Sequence, residues 1–452
     1  MPFIQNSDDD RAEMLAAIGV TTVDELFEQI PEELRYRSRL PIDDGLSEDE
    51  LRAELAELAS WNTTMDSGSF LGAGLYRHFI PTVVDSLQQR HEFVTAYTPY
   101  QPEASQGTLT AFFEFQTMVA ELLGMEIANA SMYDGCSAAT EAVIMAANMV
   151  RNRNTVVVSR GAHPYTRRTL ETYLKWTGIE IVEAPLDEKG RTNFDGLVDD
   201  KTCAVLVQNP NTLGVIEDIE AVATEAKANG AVSVCSAYPM SLGVLKSPGE
   251  AGFDIAVGDG QCLGTPIAYG GPGWGLFACA QKDVRRMPGR IVGETVDGEG
   301  RRGFALTFQT REQHIRRAKA TSNICTNNAL IALRGAIYMA AAGADGIKEV
   351  AMHSMAKAQY AAKAIAELPG FELAYPESGF FNEFLVRCPR PAKEVNKAID
   401  RAGLLGGLDI ARWYPELGED GLLLAFTEMN TRAQIDRLIS TLSHIAAAQP
   451  VA

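Results

Sequence analysis

DIAVGDGQCLGTPIAYGGPGWGLF, residues 254–277, is the stretch on which the reading of this chain turns. It opens as a short buried strand, Asp254–Val257, and runs into a loop that holds Gly258, Gly260, Gly264, Gly270, Gly271, Gly273 and Gly275. A strand that ends in so much glycine brings its backbone close to another backbone or to a ligand. No lysine occurs between Lys246 and Lys282, so the loop has no side-chain amine to offer.

Around this stretch, strand and helix patterns alternate. TVVVS (155–159), GIEIVEA (178–184), CAVLVQ (203–208) and AVSVCS (231–236) are short apolar runs rich in β-branched residues. Helical patterns at 105–124, after Asp134-Gly135, at Pro164–Trp176 and at Ile216–Asn229 separate them. Such alternation predicts an α/β fold with a mainly parallel sheet covered on both faces. A further strand is expected at Gly303–Thr310, then a long helical region from Glu312 to Gly343. The last part shows helices near 346–366 and 392–402 and strands at Glu383–Arg387 and Leu422–Phe426. A final helix opens with the capping box Thr431–Gln434. This is the pattern of a small α+β domain.

The first sixty residues differ in character. Ser47-Glu-Asp-Glu50 is a capping box, Leu51, Leu55 and Leu58 repeat at helical spacing, and Thr21 or Thr22 opens an earlier short helix. The expected organisation is an N-terminal helical arm (1–60), a large domain (61–325) and a small C-terminal domain (326–452). Of the net charge of −19, −11 lies in residues 1–60, which hold sixteen acidic and five basic residues. That balance excludes nucleic acid and anionic membrane as partners. No secretory signal or membrane-spanning run is read in the sequence. Seven cysteines without a CxxC pair fit free thiols in a cytoplasmic protein. The six histidines form no metal pattern, and Cys262 reads as a buried inert thiol.

In open α/β sheets, ligands lie at the carboxyl ends of the strands. Four stretches fall there. Tyr133-Asp134-Gly135-Cys136-Ser137 opens a helix, which suits either a phosphate or a plain N-cap. His163 follows TVVVS and could meet a flat ring or simply start a helix; Asn209–Asp218 and Ser236-Ala-Tyr-Pro close two further strands. A pyridoxal-phosphate enzyme would need two more groups there. One is an acid facing the pyridine nitrogen, and the other a lysine to form the imine. Ser236 stands where the acid is expected. The glycine loop offers Gln261, whose amide nitrogen is not nucleophilic.

FLGAGLYRHFIPTVV (70–84), the segment 95–135, the segment 291–327 and the 254–277 loop together carry a specific resemblance. They are similar to glycine dehydrogenase (decarboxylating), the P-protein family of the glycine cleavage system. Within it they resemble subunit 1, the α-type chain of the two-subunit bacterial form. The resemblance implies the pyridoxal-phosphate fold type I of aminotransferases and pairing with a similar β subunit in an α2β2 assembly. It also implies glycine decarboxylation, with transfer of the aminomethyl group to the lipoyl arm of the H-protein. β-type chains carry the reactive lysine in a loop of the form HKTFSTPHGGGGPG. Alignment on Thr265-Pro266 and Gly271-Pro-Gly273 puts Gln261 at that lysine, and counting from Asp254 puts Cys262 there.

The resemblance therefore implies that pyridoxal phosphate sits on the β subunit. This chain would keep a vestigial cofactor pocket of Asp134, Gly135, Ser137, His163, Ser236 and Gln261. Tyr97, Thr98, Pro99, Tyr100 and Gln101, with Thr321, Ser322 and Asn323, are candidates to enter the partner's site; ordinary interface packing is the other reading. Two alternatives stand beside an obligatory subunit. One is a structural or regulatory pseudoenzyme, and the other a self-sufficient enzyme using Lys246 or Lys282.

Overall fold

Why the glycine loop has its shape becomes plain once its flanks are placed: it joins two antiparallel neighbours in one seven-stranded sheet. The computed structural model describes residues 5–36, 40–95, 97–150, 152–320 and 322–447. Its sheet comprises β1 (Ile127–Ala128), β2 (Thr155–Ser159), β3 (Glu180–Ala184), β4 (Thr202–Asn209), β5 (Val232–Ala237), β6 (Ile255–Asp259) and β7 (Gly275–Cys279). The spatial order is β1-β7-β6-β5-β4-β2-β3. Strands β2 to β6 are parallel. Strand β7 returns antiparallel to β6, from Ile255 opposite Cys279 to Asp259 opposite Gly275, and β1 is antiparallel to β7. The strand β7 was not expected from sequence, because the short apolar run WGLFAC reads equally well as the wall of a loop.

Successive side chains of a strand face opposite ways, and here both ways are core. Val156, Val158, Leu206, Val234 and Val257 pack with helices Gly135–Met149 and Pro164–Leu174. Val157, Val205, Val207, Cys235 and Ala256 face the other side, with helices Gln106–Leu123 and Ile219–Ala228. This double burial accounts for the unbroken apolar runs. β8 (Ile291–Val296) and β9 (Arg302–Thr307) form a separate antiparallel hairpin.

The expected long helix from Glu312 is a correction. Only short turns occupy Gln313–Lys319, and the next helix starts at Ala329. Side chains hold the intervening backbone elsewhere: the Asn327 amide donates to Ala130 O at 2.6 Å, and the Asn328 amide to Tyr133 O at 2.9 Å and Gly273 O at 2.7 Å. Short polar side chains thus outcompete the helix, as they commonly do. The helix Ala329–Ala366 breaks at Gly343, where φ is +64°. It is long and apolar enough by composition to cross a membrane, which the sequence reading missed. Ala332, Leu333, Ala336 and Met339 bury part of that apolar surface in the core.

Toward the C-terminus, β10 (Glu372–Leu373), β11 (Glu383–Arg387), β12 (Leu408–Asp409) and β13 (Gly421–Ala425) form an antiparallel sheet of order β10-β11-β13-β12. Phe384, Val386, Leu422 and Leu424 pack one face against helices Ala392–Arg401 and Arg432–Ala447. The Thr431–Gln434 capping box forms as expected, with both bonds between 2.8 and 3.2 Å.

By its contacts the chain divides into Met1–Thr63 and Thr64–Ala452. In the first unit, Ser47 and Glu50 cap helix Glu48–Ser60 reciprocally, and this helix buries none of its residues within the chain. Thr21 and Thr22 both bond Glu25 and open a short turn at Asp24–Phe27.

Candidate functional site

At the carboxyl ends of β2, β4, β5 and β6 lies a cavity of about 680 Å³. Asp134, Gly135, His163, Ser236 and Gln261 all line it, and Ser137 is buried one step further into its helix. A strap, residues 71–76, forms another wall.

Gln261 is a buried clasp on that strap. Its Oε1 accepts the Tyr76 N–H at 3.0 Å, and its Nε2 donates to Tyr76 O at 3.0 Å and Thr265 O at 2.8 Å. An amide can do both because it holds a donor and an acceptor; an ammonium has no acceptor for the Tyr76 N–H. Gly260, just before it, is fixed by packing, since a Cβ there would lie 2.1 Å from the Trp274 indole. Cys262 is buried and its thiol is pushed up by that burial, so it is not a ready nucleophile.

Further side chains tie down the strap. Glu383 on β11 accepts the Ala73 N–H at 2.7 Å and the Tyr76 hydroxyl at 2.8 Å. Burial raises its carboxyl to about 7. His78 links Glu428, at 2.7 Å from Nδ1, to the Tyr238 hydroxyl, at 2.5 Å from Nε2. His163 caps helix Pro164–Leu174: Nδ1 accepts the Tyr165 N–H at 3.2 Å, which leaves Nε2–H to donate to Ala73 O at 3.1 Å. Burial lowers its pKa to about 4, so the imidazole is neutral. Both ring nitrogens are committed to this chain.

Two N–H groups at the start of helix Gly135–Met149, those of Gly135 and Ser137, are committed as well. The Asp134 carboxylate accepts the Ser137 N–H at 2.7 Å, and the Ser137 hydroxyl accepts the Asp134 N–H at 3.2 Å. Asp259, at the end of β6, accepts the Gly135 N–H and the Gln261 N–H, each at 3.0 Å. Burial raises Asp259 to about 6, against these two bonds and with a contribution from Asp134. At neutral pH it is ionised.

The residues present do not fit pyridoxal phosphate. No lysine lines the cavity among the described residues. At the end of β5 the lining offers the Ser236 hydroxyl and no acid for a pyridinium, and two N–H groups at the helix start, on Gly135 and Ser137, already go to carboxylates.

The second group of candidates is gathered elsewhere, partly around Arg290. Its guanidinium donates to Cys325 O at 2.8 Å, Asn327 Oδ1 at 3.1 Å and the Tyr100 hydroxyl at 3.3 Å. Tyr97 and Tyr100 are exposed, at 84% and 51%, as are Gln101 and Asn323. Pro99 is buried, and the Thr98 hydroxyl is buried with no hydrogen-bond partner. Ser322 Oγ accepts the Ile324 N–H at 3.1 Å. Thr321 lies outside the described residues. Asn328 runs from this cluster to the cavity wall. Sequence reasoning missed Arg290, Asp259 and Glu383. Only Asp259 left a signal, as an acid at the end of the strand that precedes Gln261.

Comparison with known proteins places these features. The family model described as "Glycine cleavage system P-protein" matches residues 1–442. A protein named "Probable glycine dehydrogenase (decarboxylating) subunit 1" from Brevibacillus brevis is 47% identical over 450 residues, covering 99% of both chains. A crystal structure of glycine decarboxylase (P-protein) of the glycine cleavage system, in inhibitor-bound form, superposes with a TM-score of 0.89 and 44% identity. It covers 98% of this chain and all of that one. A NifS-like protein, 15% identical, shares the fold alone, with a TM-score of 0.63 over 84% of this chain and 99% of its own. The fold is the pyridoxal-phosphate fold type I, and the chain belongs to the glycine cleavage system P-protein family.

Proposed function

We propose that this chain is the α-type subunit of glycine dehydrogenase (decarboxylating), the half that keeps the fold and leaves the covalent chemistry to its partner. One observation carries this: the loop after β6 has no lysine, and at the positions that the two alignments give to the reactive lysine stand Cys262, a buried thiol, and Gln261, which spends its whole amide on the strap and Thr265. The relative's designation as a subunit 1 supports a second chain. We place pyridoxal phosphate on that partner. Its chemistry is an electron sink for the carbanion left when glycine loses CO2. Together the two chains would decarboxylate glycine and pass the aminomethyl group to the lipoyl arm of the H-protein, in a cytoplasmic α2β2 assembly. Seven free cysteines accord with a reducing compartment.

For this chain's own part, the exposed Tyr97, Tyr100, Gln101 and Asn323, with Ser322, form the face offered to the partner's site. Aromatic side chains that stand exposed in one chain are the usual material of an interface core. Arg290 ties the Tyr100 hydroxyl to the Cys325 carbonyl and the Asn327 side chain, which favours a preformed face.

Exchange of labelled bicarbonate into glycine tests the proposal. Neither chain alone is expected to catalyse exchange above background, and the mixture is expected to do so. Full exchange by the partner alone would make this chain a structural or regulatory bystander.

A further inference from the structure

We propose that Asp259 closes this cavity to phosphorylated ligands, by supplying from within the fold the anion that the amino end of helix Gly135–Met149 would otherwise take from solution. The inference rests on the reading above that the cavity is the cofactor cavity of the fold. It goes further, because losing a lysine removes only a covalent bond and leaves a phosphate site untouched.

A helix start has N–H groups without intrahelical partners and the positive end of the dipole, and phosphate is a frequent tenant. Here the Gly135 N–H goes to Asp259 and the Ser137 N–H to Asp134, while the Ala138 N–H closes on Asp134 O at 3.0 Å. Asp259 is not free to swing away, since its other oxygen receives the Gln261 N–H in the turn after β6. The helix end also sits hard against it. A Cβ on Gly135 would lie 2.8 Å from the Asp259 Cβ and 3.0 Å from its backbone nitrogen. The Gly135 N–H is thus already taken by the Asp259 carboxylate.

Charge points the same way. Among the described residues, the lining holds three acids, Asp134, Asp259 and Glu383, and no lysine or arginine. His163 is neutral and supplies no cation. A phosphate monoester carries roughly −1.5 to −2 near neutral pH. It would stand beside Asp259 with no cationic side chain in the lining to offset the repulsion.

The test titrates the full-length chain calorimetrically, near pH 8, with pyridoxine 5′-phosphate and with pyridoxine. Both are alcohols that cannot form an imine, so the missing lysine does not enter. The wild type is expected to bind the phosphorylated probe no more tightly than pyridoxine. Asp259→Asn and Asp259→Ser are each expected to bind the phosphorylated probe at least about tenfold more tightly than wild type, with pyridoxine unchanged. Circular dichroism and co-purification with the partner report folding. Two results would overturn the inference: a wild type that prefers the phosphorylated probe about tenfold, or folded Asp259 variants that gain nothing.

If neither variant folds, sulfate binding to the wild type decides, because sulfate stays dianionic between about pH 8 and about pH 5. Asp259 loses its charge across that interval, as does Glu383 across the cavity, while His163 stays neutral; Asp134, the remaining acid of the lining, accepts the Ser137 N–H. A rise of at least about tenfold in affinity that persists in Glu383→Gln supports the inference, and a flat profile overturns it. A yellow wild-type chain that bleaches with borohydride would sink the functional reading itself. A colourless chain whose folded Asp259 variants gain nothing would sink only this inference.

Discussion

Gln261→Leu is expected to destabilise the chain by about 3 kcal/mol or more, because it strands three buried backbone groups at roughly 1–3 kcal/mol each. Leucine nearly preserves the volume, so cavity formation adds little. The stranded groups are the Tyr76 N–H, the Tyr76 carbonyl and the Thr265 carbonyl. The Tyr76 pair matters most, since it ties the strap to the end of β6 across 185 positions of sequence. The urea midpoint is expected to fall, and limited proteolysis within residues 71–76 to speed up as the strap loosens. Gln261→Glu separates the contributions. It retains an acceptor for the Tyr76 N–H, loses both donated bonds and buries a charge. An unchanged midpoint in Gln261→Leu would mean that the clasp carries no net stability.

A larger loss is expected from Gly214→Ala, at the junction between the loop after β4 and the C-terminal sheet. Gly214 has φ +85°, and a Cβ there would lie 2.0 Å from the Glu383 carbonyl oxygen and 2.6 Å from its carbon. Both neighbours are backbone of β11, held in register by its pairing with β13, so neither can yield cheaply. The left-handed conformation alone costs an alanine about 1–2 kcal/mol. With the clash, the total is expected to exceed about 4 kcal/mol, which is exceptional for one methyl group. Gly196→Ala supplies the control: its φ is +70°, yet nothing lies within 4 Å of its Cβ position. It is expected to fold with only the backbone penalty, while Gly214→Ala is expected to be largely insoluble. Equal urea midpoints for the two would show that β11 moves aside.

These two positions also show how much of the molecule was legible in its sequence. β2 and β4 could be read from local composition, because strands buried on both faces of a parallel sheet need unbroken apolar, β-branched runs. That the loop after β6 carries no lysine was legible too, with Gln261 and Cys262 at the positions that its two alignments compare with one. What the amide does instead was not legible, since its partner Tyr76 lies far off in sequence. The same holds for Asp259 and Gly135, which meet across 124 positions, and for Glu383 and Tyr76, which meet across 307. Asp134 and Ser137 showed the N-cap pattern, but not that a second carboxylate would sit on Gly135. Arg290 gave no sign, because a lone cation after a turn has no pattern until the fold brings Tyr100 and Cys325 to it. The segment from Glu312 was misread for a related reason. Its apolar spacing is helical, but Asn327 and Asn328 bond distant carbonyls and keep the backbone out of the helix.

The central claim is that the covalent chemistry of the paired enzyme lies wholly outside this chain. Borohydride reduction of the assembled enzyme in the presence of pyridoxal phosphate, followed by peptide mapping of both chains, tests it most directly. The label is expected on a single lysine of the partner, with this chain unmodified, including Lys246 and Lys282. A stoichiometric label on any lysine of this chain would contradict the account.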